Sequence, residues 1–91
     1  MQQQSRLRTA PKTPEGRFGQ VLREARTARG LSQEELGFQS GYHPVYISQL
    51  ERGKKSPSLR TMMSLASVLK TPASELLRRV EVALDAKTLR S

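Results

Sequence analysis

The stretch LSQEELGFQSGYHPVYISQLERG, residues 31–53, places two helix-forming segments on either side of Gly41 with room only for a turn between them. Ser32 and Glu35 have the spacing of a capping box, in which the hydroxyl accepts from the third helical amide and the carboxylate reaches back to the cap amide. That fixes a helix start at residue 32 and a stop before Gly41. A second helix starts at Pro44, since proline in a first turn loses no hydrogen bond and presets φ. A link of about three residues forces a sharp angle between the two helices, and its joint requires a residue at ease with positive φ. Gly41 supplies it. Gly37, one turn earlier, has no side chain to hold the helices apart, and Leu36, Ile47 and Leu50 are spaced to close a small core between them.

The same reading extends outward. Thr13 and Pro14 start a first helix that carries Phe18, Val21, Leu22 and Ala25 and ends at Gly30. Ser58 caps a fourth helix with a broad apolar face, from Leu59 through Met62, Met63, Leu65, Ala66, Val68 and Leu69. Thr71 and Pro72 repeat the cap-then-proline start for a fifth, which bears Leu76, Leu77, Val80, Ala83 and Leu84. No alternating strand pattern competes, so the expectation is an all-α domain of five helices over residues 13–87. Residues 1–12, rich in Gln, Arg, Lys and Pro, read as a flexible basic arm containing Arg6, Arg8 and Lys12.

Composition narrows the function. A chain of 91 residues holds one small domain. With no cysteine, disulfides and thiolate zinc sites are excluded, and His43, the single histidine, cannot form a metal cluster alone. No cofactor is expected, no nucleophile–base pair or glycine-rich phosphate loop is present, and an enzyme is not expected. No apolar run is long enough to span a membrane, and the absence of cysteine fits a cytoplasmic location. Sixteen Lys and Arg against eight Asp and Glu give a net charge of +8, which favours an anionic partner.

Taken together, GLSQEEL, the turn glycine, YISQLERG and the later PSL resemble the Cro-type (Xre-type) helix-turn-helix family, over about Phe18 to Leu77. Small repressors and restriction–modification controller proteins share this layout. The resemblance implies a lambda-repressor-like fold in which the third helix enters the major groove of duplex DNA. Three departures stand out. Ser40 occupies a position that is usually apolar in the family, Phe38 one that is usually polar, and Pro44 and Val45 replace mostly polar base-reading residues.

By family position, Gln33 contacts a phosphate and braces the recognition helix, while Gln49 is the base reader, matched to adenine. Ser48 touches base or phosphate. Val45 meets a thymine methyl or packs within its own helix, and the residues leave both open. The Tyr46 hydroxyl suits a phosphate. His43, as N-cap beside Pro44, has a ring able to donate to DNA. Arg52, Lys54 and Lys55 border the groove and suit phosphates. Arg26 and Glu51 are expected to form an ion pair tying the first helix to the third, a scaffold role.

The expected function is a sequence-specific duplex-binding transcriptional regulator acting as a homodimer, with Leu65, Val68, Leu76, Leu77, Val80 and Leu84 in the dimer interface. Two rivals remain open: an antitoxin or adaptor whose main partner is a protein, and a nonspecific nucleic-acid binder.

Overall fold

The computed structural model describes residues 12–83. Five helices and no strand occur among the described residues: α1 (Pro14–Ala28), α2 (Gln33–Ser40), α3 (Pro44–Glu51), α4 (Leu59–Leu69) and α5 (Ala73–Ala83). The expected starts hold for the first four. Thr13 Oγ1 accepts from the Gly16 amide, Ser32 and Glu35 complete the reciprocal capping box, and Ser58 accepts from the Thr61 amide. Gly30, Gly41 and Gly53 all take left-handed φ, and they follow the ends of α1, α2 and α3 respectively.

Two ends depart from expectation. The α4 helix closes on Lys70 at φ 57°, a left-handed turn made without glycine. The amide of Thr71 then donates to the Ala66 carbonyl, and its hydroxyl donates to the Leu69 carbonyl. Thr71 therefore completes the end of α4 instead of capping α5, whose first intrahelical bond runs from Leu76 to the Pro72 carbonyl.

One core joins all five helices. Phe18, Val21, Leu22 and Ala25 of α1 meet Leu36 of α2, Ile47 and Leu50 of α3, Leu65, Ala66 and Leu69 of α4, and Leu76 and Val80 of α5. The α1 helix packs on both α3 and α5, and α2 packs on α3 and α4. This arrangement corrects the assignment of Leu65, Leu76 and Val80 to a dimer interface. All three are buried within a single chain, in which α5 folds back over α1 and also packs on α4. Val68 is half-buried against the core, Leu77 is exposed, and Leu84 lies outside the described residues.

Glycine matters most at two close approaches. A Cβ on Gly37 would collide with the Tyr42 carbonyl oxygen, so α2 and the following turn fit only without a side chain there. A Cβ on Gly19 would collide with the Leu50 and Glu51 carbonyl oxygens, so the contact of α1 with the end of α3 has the same requirement.

Candidate nucleic-acid interface

Helix α3 is held by its inner face and by both ends. Ile47 and Leu50 are fully buried and anchor it to α1 and α2. At its N-terminus, His43 Nδ1 accepts from the Val45 amide at 3.0 Å. A ring nitrogen that accepts carries no hydrogen, so in the neutral ring the proton sits on Nε2. The exposed imidazole thus both caps the helix and presents a donor to whatever meets that end. At the C-terminus, the Lys54 amide donates to the Gln49 carbonyl at 2.8 Å and the Gly53 amide to the Leu50 carbonyl at 3.0 Å.

A polar hub sets the angle of α3. Glu51 receives Arg26 Nε at 2.6 Å on one carboxylate oxygen and Arg26 Nη2 at 3.0 Å on the other. Gln33 Nε2 donates to that second oxygen, also at 3.0 Å, and Arg26 Nη1 donates to the Leu31 carbonyl at 2.8 Å. The expected Arg26–Glu51 pair is therefore present and wider than expected, joining α1, the α1–α2 turn, the start of α2 and the end of α3. With only 4% of the Glu51 side chain and 11% of Arg26 exposed, the pair is largely withdrawn from water. The hydrogen bond to Glu51 is the main reason the Arg26 pKa rises above its ordinary value, against a smaller opposing effect of burial.

The outer face of α3, the residues flanking its two ends and the start of α2 carry the remaining assigned residues. Val45 is 56% exposed, so packing inside its own helix does not account for it. Pro44, Ser48 and Gln49 are half-buried, while His43, Arg52, Lys54 and Lys55 are exposed. Tyr46 is half-buried against the core, its ring 5.4 Å from that of Tyr42 and tilted by 48°, which fixes its position at the edge of this face. Gln33 is half-buried with its amide nitrogen committed to Glu51. Its amide oxygen cannot donate to a phosphate, so a phosphate contact by this side chain requires the second hydrogen of the same nitrogen.

Two of the departures noted in the sequence acquire a physical account. The Ser40 hydroxyl donates to the Leu36 carbonyl at 2.6 Å, which lets a polar residue sit on a half-buried helix flank. Phe38 is 89% exposed on α2, which suits a position that is usually polar. Sequence reasoning missed Gly19, although an uncapped glycine in mid-helix normally costs about 1 kcal/mol against alanine and so signals a packing need. No helix of the described residues is long and apolar enough to cross a membrane.

Comparison with known proteins places this arrangement. The Helix-turn-helix family model, HTH_3, matches residues 22–76. The HTH-type transcriptional regulator RghRB of Bacillus subtilis is 44% identical over 61 residues, covering 66% of this chain and 44% of that protein. The control protein C.SmaI of Serratia marcescens is 40% identical over 58 residues, covering 64% of this chain and 69% of that one. Among solved structures, the restriction-modification controller protein C.AhdI from Aeromonas hydrophila aligns with a TM-score of 0.66 and 48% identity, over 67% of this chain and 92% of that one. The chain spans less than half the length of RghRB.

Proposed function

The chain belongs to the HTH_3 helix-turn-helix family, and we propose that it is a sequence-specific duplex-DNA-binding transcriptional regulator that acts as a homodimer on an operator of two half-sites. The observation that carries this reading is α3 itself. Its inner residues Ile47 and Leu50 are fully buried, its angle is fixed by the Glu51 hub, and its outer face offers Val45, Ser48 and Gln49 between a histidine donor and the cations Arg52, Lys54 and Lys55. Such a face has the mixture that base reading needs: an amide able to pair bidentately with adenine, an apolar contact for a thymine methyl, and phosphate contacts on its rim.

A single recognition helix reads few base pairs, so specific affinity calls for two. Support for a second copy comes from α4 and α5. Leu59 and Met63 lie one turn apart on α4 and are exposed, as is Leu77 on α5. Half-buried Val68 borders the same helix flank as Leu59 and Met63. These residues replace Leu65, Leu76 and Val80 as the proposed contact.

The adaptor reading keeps one favourable observation, the exposed Phe38 on α2. Selection of duplexes from a random pool, followed by sedimentation of the complex, tests the proposal. An enriched two-part site bound by two chains supports it, whereas an unenriched pool contradicts sequence-specific reading.

A further inference from the structure

A cleft of about 360 Å³ lies beside the C-terminal end of α3, on the side away from His43. Its walls include Lys12, just before α1, Gln20 and Arg23 of α1, Glu51 at the end of α3, and Arg52 and Gly53 just after it. Among the described residues Lys12, Arg23 and Arg52 form no ion pair. Glu51 is the cleft's sole carboxylate, and its oxygens are already taken by Arg26 and Gln33. The Gln20 side-chain oxygen accepts from Arg17, which leaves its NH2 group as the part available to an anion. Three cations thus share one concave site without compensation. That arrangement costs free energy through mutual repulsion and is relieved when an anion enters.

We propose that this cleft seats a backbone phosphate of the bound duplex, adjoining the contacts of Lys54 and Lys55, with Lys12, Arg23 and Arg52 as its ligands. The inference rests on the DNA-binding reading and extends it. The close fit of α1 onto Gly53, where a Cβ would stand 2.9 Å from the Gly16 Cα, holds the two walls of the cleft rigidly together. Charge complementarity selects the occupant, and the cleft is continuous with the proposed phosphate contacts because Arg52 belongs to both. Such contacts carry no sequence information, and they position the protein on the duplex.

The test uses the full chain with a duplex recovered by selection and a random duplex of equal length. Arg23→Gln removes one cation from an exposed position on α1, and Lys12→Gln removes another. Each is expected to weaken both duplexes by the same factor and to reduce the slope of log affinity against log salt by about 1, with helical circular dichroism unchanged. Lys70→Asn, at the α4–α5 junction, removes equal charge in a residue type that tolerates left-handed φ, and is expected to leave affinity and slope as in the wild type. Wild-type affinity and slope in Arg23→Gln would overturn the proposal, as would a slope change in Lys70→Asn equal to that in Arg23→Gln. If the wild type shows no preference between the two duplexes yet Arg23→Gln still lowers the slope, the sequence-specific reading fails and the cleft stands.

Discussion

The two halves of the molecule are held together by different physics. Around α3, directional groups set the geometry: a two-pronged guanidinium–carboxylate pair, a glutamine brace, a histidine cap and two glycines that admit backbone at close range. Across α4 and α5, burial of Leu65, Leu69, Leu76 and Val80 does most of the work, and the ion pairs of Glu75 with Arg78 and Arg79 lie on the surface. Apolar burial is non-directional and tolerates small shifts, whereas a buried hydrogen-bonded pair does not. A helix that must present a few side chains to base edges requires the second kind of support. A helix pair that completes a core is served by the first.

The comparison breaks most visibly at its anchors. Leu76→Ala should destabilise the fold by about 2–5 kcal/mol, as large-to-small core changes do, and denaturant unfolding measures it. A loss below about 1 kcal/mol would mean that α5 is not part of the core. Glu51→Ala should cost about 3 kcal/mol by leaving Arg26 without its partner, and its effect should differ in kind. The residual fold should keep its helical content while α3 loses its fixed angle, so duplex affinity should fall further than stability alone explains. Met63→Asp and Leu77→Asp should leave the monomer folded, since both positions are exposed in one chain, and should shift sedimentation at micromolar concentration from dimer to monomer.

Much of this architecture was legible in the sequence because it is written in local chemistry. Thr13, Ser32 and Ser58 cap helices by hydrogen bonds within three residues, and Gly30 and Gly41 answer to backbone torsion alone. The Arg26–Glu51 pair was legible only through the family resemblance, because a contact across 25 residues leaves no local trace. The left-handed Lys70 was not legible, since nothing in its side chain marks that conformation. Nor was the destination of α5. Leu76, Leu77 and Val80 recur at helical spacing whether they cover α1 or a second chain, and only the packing of α5 onto α1 decides between the two.

Finer comparisons separate readers from holders. Gln49→Ala should cost about 1–3 kcal/mol on a selected duplex and relax preference at one base pair per half-site, while Lys54→Ala should weaken all duplexes alike. Unchanged specificity in Gln49→Ala would remove it as a base reader. The smallest effect belongs to the surface of α5. Hydrogen bonds from Arg78 and then Arg79 hold the Glu75 carboxyl at a pKa of about 2, below its usual 4.5. A depressed carboxylate contributes stability that is present above its unfolded pKa and fades as pH falls toward the folded one. Carboxyl-carbon NMR should therefore find Glu75 still ionised at pH 3, and a midpoint near 4.5 would show that the pair does not persist in solution.

The central claim is that α3 reads sequence and that two copies do so together. Selection of duplexes from a random pool by the full chain tests it most directly. The expected outcome is an enriched site of two inverted half-sites with centres about one helical turn, roughly 34 Å, apart, bound by two chains. Enrichment of no sequence, or of a single half-site bound by one chain, would contradict it.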